Sequence, residues 1–216
     1  MNFKIVMLGM VGAGKGTQAK KLGDYLNIPH ISTGDIFRDA VKRETELGVK
    51  ASRIMKEGGL VPDEIVLAIV KERVGLQDAD RGYILDGFPR TLNQAVEWDN
   101  IEAPDIVFYI DVSQEEVVRR LKGRRVCEDC NGQYNIYLDK HTGEVCTECE
   151  GELIKREDDE EDTVMVRIKN YFEQTKPLIE YYQEKDLLIE INGEQYINEI
   201  FESIKTKLEN SSFLKK

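Results

Sequence analysis

No apolar run in this 216-residue chain comes near the roughly 20 residues that a helix needs to cross a bilayer. The opening stretch, MNFKIVMLGMVG, also lacks the charged start and the small-residue cleavage site of a secretory signal. A cytoplasmic protein with no membrane partner is therefore expected. An excess of basic charge is missing too: 30 Lys and Arg stand against 41 Asp and Glu, a formal net charge of -11. That balance repels a nucleic-acid backbone and argues against nucleic acid as a partner. Histidine is scarce, and neither His30 nor His141 has a nucleophile or an acid motif nearby, so both read as structural or exposed. No long linker or low-complexity tract interrupts the sequence.

What is present suits one core carrying insertions. The 41% hydrophobic content can bury a substantial core, and the 33% charged content gives it a well-solvated surface. Short apolar runs at Phe3 to Leu8, in IPHIST, in YILDGF, in DIVFYIDV and in LLIEI read as strands. Between them lie helical patterns: about Lys15 to Leu26, from STGD to Gly58, 63 to 73, from about Thr91, and through EEVVRRLKGRR. A long helix from about Thr163 to Tyr182 and a last one from Gln195 to about Leu208 complete the series. Strand and helix alternate, which predicts an α/β fold with a parallel sheet.

The stretch GMVGAGKGT at 9 to 17 fits G-x-x-x-x-G-K between a buried strand and a helix. Glycines let the backbone close around phosphate oxygens, the N–H groups of the turn point inward, and the helix N-terminus adds positive potential. Lys15 supplies a point charge for the outer phosphates. Another strand-to-helix turn, DGFPRT at 86 to 91, follows an apolar strand, so Asp86 belongs at the carboxyl end of the sheet beside the first loop.

In this loop Gly16 stands between Lys15 and Thr17, and GKGTQ resembles the nucleoside monophosphate kinases, the adenylate kinase family in particular. STGDIFR at 32 to 38, DGFPRT and Gln94 extend the resemblance in order and spacing, and it spans the chain from Gly9 to Gly193. It implies a P-loop NTPase-type parallel sheet flanked by helices, forming the core at 1–31, 62–122 and 163–216. A helical AMP-binding insert would occupy 32–61 and a small lid 123–162. One departure is Val11, where the family usually carries a proline whose fixed φ preorganises the loop.

By the same resemblance Gly12, Ala13, Gly14, Lys15, Gly16 and Thr17 hold ATP together with Arg120, Arg124 and Gly193 in INGEQ. Thr33, Arg38, Gly87, Arg90, Gln94, Arg156 and Arg167 hold AMP, and Gly59, Leu60 and Val61 close around its base and ribose. Guanidinium groups suit bidentate phosphate contacts, and Gln94 has one donor and one acceptor for an adenine edge. Lys15, Arg90, Arg124, Arg156 and Arg167 would stabilise the transferring group, Asp158 and Asp159 would orient the arginines, and Asp86 and Thr17 would hold Mg²⁺ through water. The implied reaction is ATP + AMP giving two ADP, by a monomer. A sister kinase with another acceptor remains open, as does a zinc-ribbon nucleic-acid binder on a vestigial nucleotide fold, which the net charge opposes.

All four cysteines fall in one segment, as Cys127, Cys130, Cys146 and Cys149, with fifteen residues between the pairs. C-x2-C-x15-C-x2-C matches a tetrahedral structural Zn²⁺ site, and four thiolates leave no open position for catalysis by the metal. So short a ribbon cannot build its own apolar core, and coordination can supply the missing folding energy. By the resemblance, the metal would staple the lid that carries Arg124 and Arg156.

Overall fold

The computed structural model describes residues 3–138 and 143–211. His141 lies outside the described residues. In chain order the elements are β1 (Phe3–Leu8), α1 (Lys15–Leu26), β2 (His30–Ser32), α2 (Thr33–Lys42), α3 (Glu46–Lys56), α4 (Asp63–Val74), β3 (Gly82–Asp86) and α5 (Leu92–Glu102). There follow β4 (Ile106–Asp111), α6 (Gln114–Gly123), β5 (Arg124–Cys127), β6 (Gln133–Asn135), β7 (Leu153–Ile154), α7 (Glu161–Asn170), α8 (Pro177–Gln183), β8 (Leu188–Asn192) and α9 (Ile197–Asn210).

The main sheet has the order β2-β3-β1-β4-β8, with every pairing parallel. Its strands read as continuous apolar runs because helices cover both faces. Alternate residues of β1 serve the two layers: Ile5 and Met7 pack with residues of α1, α6 and α9, Val6 and Leu8 with α4, α5 and α8. Trp98, fully buried, meets Phe88 edge to face at 5.4 Å, which anchors the DGFPRT turn against α5. Met7 pairs in register with Asp86, so the end of β3 emerges beside the loop that follows β1.

Two helical expectations are revised. The stretch from STGD to Gly58 is two helices, because Glu44 takes φ 52° and Thr45 starts a new N-terminus, its hydroxyl accepting from Gly48 N at 3.0 Å. The helix expected over 163 to 182 starts at Glu161 and is broken after Asn170 by a π-helical turn, Tyr171–Thr175. Pro177 explains the break: it has no N–H to donate and its ring crowds the preceding turn, so Lys176 N reaches back to Tyr171 O at 2.8 Å instead.

Two small units flank the sheet's carboxyl edge. One is the helix pair α2 and α3; the other is an antiparallel sheet of order β6-β5-β7. The helix pair meets the segments next to that sheet: Lys56 pairs with Glu157, beyond β7, at 3.1 Å, and Lys42 Nζ donates to the carbonyl of Glu128, just after β5, at 3.3 Å.

Candidate active site and metal centre

A cavity of about 430 Å³ opens where the loop after β1, the end of β3, α3, the small sheet and α7 converge. Gly14, with φ 95°, turns the loop into α1 in a conformation that side chains rarely adopt, and the space above it is open. Gly16 is needed for closeness: a Cβ there would lie 3.1 Å from Asp86 Oδ2 and 3.2 Å from Gln133 Nε2. Gln133 belongs to β6, so the small sheet reaches over the loop. Lys15 Nζ donates to the carbonyls of Gly9 at 2.8 Å and Met10 at 2.9 Å. Burial, followed by the positive charges of Arg90, Arg167 and Arg124 and only partly offset by Asp86, lowers its pKa to about 8.

Asp86 is the local anion. Burial acts to raise its pKa, but the hydrogen bond from His30 and the charge of Lys15 outweigh it and hold the carboxyl at about 2. His30 Nε2 lies 3.4 Å from Asp86 Oδ2, so of the two readings, structural or exposed, the structure favours the first and adds a partner that the sequence did not show. The neighbouring of β2 and β3, which brings them together, leaves no mark in a linear motif.

All six arginines expected at the site line the cavity. Arg38 pairs with Asp35 and Arg90 Nε donates to Gly87 O at 2.8 Å. Arg124 is held by both carboxylate oxygens of Asp159, and Arg167 NH1 meets Asp158 Oδ2 at 2.9 Å and Asp159 Oδ1 at 3.2 Å. Arg156 differs, since its Nε and one terminal nitrogen are buried without a hydrogen-bond partner. Burial, reinforced by Arg124 and Arg38, drops its pKa to about 9, and burial is likewise the chief cause that brings Arg167 to about 10. So much positive charge, with donors left over, makes a cavity suited to phosphate.

Gly12, Ala13, Thr17, Gly59, Leu60 and Gly87 line the same space, as do Val11 and Arg120. Arg120 spends its donors on the protein: Glu116 Oε1 at 2.8 Å, Ala13 O at 3.3 Å and Gly193 O at 2.7 Å. Five expected residues stand behind the wall instead. Thr33 donates to Gly87 O at 2.9 Å, Gly193 is gripped by Arg120, and Asp159, Val61 and Gln94 are buried. Gln195, the last residue of INGEQ, lines the cavity, and so do Gln133 and Tyr134 of β6 and Tyr196 before α9, although no motif pointed to these three.

The adenylate kinase family model matches residues 7–187. The protein called adenylate kinase from Oceanobacillus iheyensis is 45% identical over 95% of this chain and 98% of its own length. Those from Clostridium tetani and Pseudothermotoga lettingae are 46% and 45% identical, over 94% and 93% of this chain and 97% and 95% of theirs. The chain belongs to the adenylate kinase family.

The kinase's small sheet carries a metal centre's ligands. The Sγ atoms of Cys127, Cys130, Cys146 and Cys149 all lie within 4.8 Å of one another, with Cys127 to Cys149 at 3.4 Å and Cys130 to Cys146 at 3.5 Å. A tetrahedron with Zn–S bonds of about 2.3 Å has edges of roughly 3.8 Å, so the donor set fits zinc. Backbone N–H groups of Cys130 and Glu148 donate to Cys127 Sγ at 3.5 Å and Cys146 Sγ at 3.4 Å, as suits thiolates. The cluster supports a structural zinc site in the kinase's lid. Among the described residues no helix is long and apolar enough to cross a membrane.

Proposed function

We propose that the protein moves the terminal phosphoryl group of MgATP to AMP, reversibly, giving two ADP. A phosphate oxygen of AMP forms a bond to the γ-phosphorus as the bond to the β-phosphate bridge breaks. The observation that carries this reading is Arg156, a buried guanidinium with unpaired donors in the cavity that also holds Lys15 and the glycine loop. One cavity then has room for two phosphate chains facing each other.

In this reading the backbone of residues 12–17 and Lys15 hold the ATP phosphates, and Arg38 and Arg90 seat the AMP phosphate. Arg124, Arg156 and Arg167 spread positive charge over the oxygens of the group in flight, while Asp158 and Asp159 aim them. Mg²⁺, when bound, neutralises the phosphates, and Asp86 and Thr17 are the residues to hold it through water. The base of AMP reaches past the present lining to Gln94, which is buried behind Arg90 in this structure, with Thr33, Gly59, Leu60 and Val61 around it, and Gly193 and Arg120 support the ATP side. The insert at 32–61 and the lid at 123–162 close over the core and keep water from taking the phosphoryl group. We place the enzyme in the cytoplasm as a monomer.

The test is ADP formation from MgATP with AMP, GMP, CMP, UMP or no acceptor. Rapid turnover with AMP alone is expected. Preference for another acceptor would overturn the assignment of AMP.

A further inference from the structure

We propose that Asp63 makes the acceptor pocket choose adenine, by fixing which way round the Gln94 amide lies. The proposal rests on the reading that Gln94 meets the acceptor base.

Gln94 is almost fully buried, and both ends of its amide are already engaged. Its Oε1 accepts from Arg90 N at 2.7 Å and its Nε2 donates to Asp63 Oδ1 at 2.7 Å. Turning the amide over would set the NH₂ against a backbone N–H and the oxygen against a carboxylate, repulsive at both ends. The orientation is therefore imposed by the protein before any base arrives. An amide has two N–H groups and an oxygen with two lone pairs, so one N–H and one lone pair remain for a ligand.

Those remaining groups match adenine, which offers an amino donor at position 6 beside a ring-nitrogen acceptor. Guanine presents a carbonyl at position 6 and so asks for the opposite order of donor and acceptor. A freely turning glutamine would serve both bases. Discrimination comes from the carboxylate that prevents the turn, because a polar site rejects an analogue that leaves its buried groups unpaired.

Asp63 is itself firmly placed. It opens α4, and its Oδ2 accepts from Thr91 Oγ1 at 2.9 Å and from Asn93 Nδ2 at 3.0 Å. Three residues of the segment after the DGFPR turn thus converge on one carboxylate from the end of the insert. Asp63 acts through Gln94, as a positioning residue.

The experiment compares kcat/KM for AMP and GMP, at saturating MgATP, in the intact enzyme and in Asp63→Asn, Asp63→Ser and Gln94→Leu. Asparagine keeps the shape and can donate to a turned amide, removing one of the two repulsions. The expected result is a fall of about tenfold in the AMP:GMP ratio in Asp63→Asn, with the KM for ATP unchanged. Asp63→Ser, which leaves the amide untethered, should lower the ratio as well if the first variant folds poorly. A purely structural carboxylate would lower the melting temperature and leave the ratio alone. An unchanged ratio in both Asp63 variants, with Gln94→Leu raising the KM for AMP, overturns the proposal by itself. Unchanged AMP kinetics in Gln94→Leu would overturn the reading beneath it as well.

Discussion

Lys15 is a buried cation whose acidity is set by its surroundings. With a pKa of about 8 in the free protein, against 10.5 for an ordinary lysine, it is about half charged at pH 8. Phosphate beside it favours the charged form, so binding of ATP at pH 8 should take up roughly half a proton. Calorimetric titrations in buffers of different ionisation enthalpy would read this directly, and a binding heat independent of buffer would refute it. The sign for stability follows from the same shift. The folded state holds fewer protons on Lys15 than the unfolded chain between about pH 8 and 10.5, so the cost of burying the charge is full below pH 8 and fades above it. The stability of Lys15→Met relative to the parent should accordingly fall as pH rises through that window, as chemical denaturation at several pH values would show.

Arg156 gives a second prediction at this scale. Lysine keeps the charge but loses the planar fork, so Arg156→Lys should lower kcat by about 10²-fold or more with little change in melting temperature. A variant with near-normal turnover would remove Arg156 from the transfer site. The glycine loop was legible in the sequence from its spacing between strand and helix, and the arginines that line the cavity were picked out by the resemblance to adenylate kinases. His30 and Gln133 were not, since each reaches the site through a strand pairing or a fold of the small sheet that links distant parts of the chain.

At the scale of elements, one carboxylate joins two pieces of the enzyme. Asp159, with a fully buried side chain, pairs with Arg124 on β5 and with Arg167 on α7. Removing its charge leaves Arg124 without a carboxylate and Arg167 with Asp158 alone, so Asp159→Asn should cost about 3 kcal/mol in denaturant unfolding, and a loss under about 1 kcal/mol would contradict the arrangement. The lid sheet depends on another kind of support. Its strands are only four, three and two residues long, and its own apolar burial is slight. Stripping the metal with a chelator should therefore expose the segment between Arg124 and Arg156 to protease while the main sheet stays intact. Equal protease resistance with and without metal would show that the staple is dispensable. The cysteine spacing announced this element, whereas the break in the helix after Asn170 was hidden because Pro177 sits inside an otherwise good helical pattern.

For the molecule as a whole, a net charge of -11 surrounds a cavity lined by Lys15 and six arginines. Nucleotides are repelled at long range and captured at short range, where low-dielectric walls focus the cavity's field. Added salt screens the buried cations less than it screens the surface, so the KM for ATP should rise only modestly, within about threefold, between 0.05 and 0.3 M salt. A steep, tenfold rise would place the attraction on exposed charges instead. The parallel sheet and its helices were readable from alternation alone; the convergence of insert, lid and α7 on one cavity was not, because it depends on contacts between segments far apart in the chain.

The contacts of Lys56 with Glu157 and of Lys42 with the Glu128 carbonyl have one further consequence. Under the proposed insert and lid, they join the two flaps directly, so the opening of one should be coupled to the opening of the other. A product in either seat would then wait on the parting of both, a shared, diffusive event. Thickening the solvent should then slow turnover even though no chemical step feels viscosity.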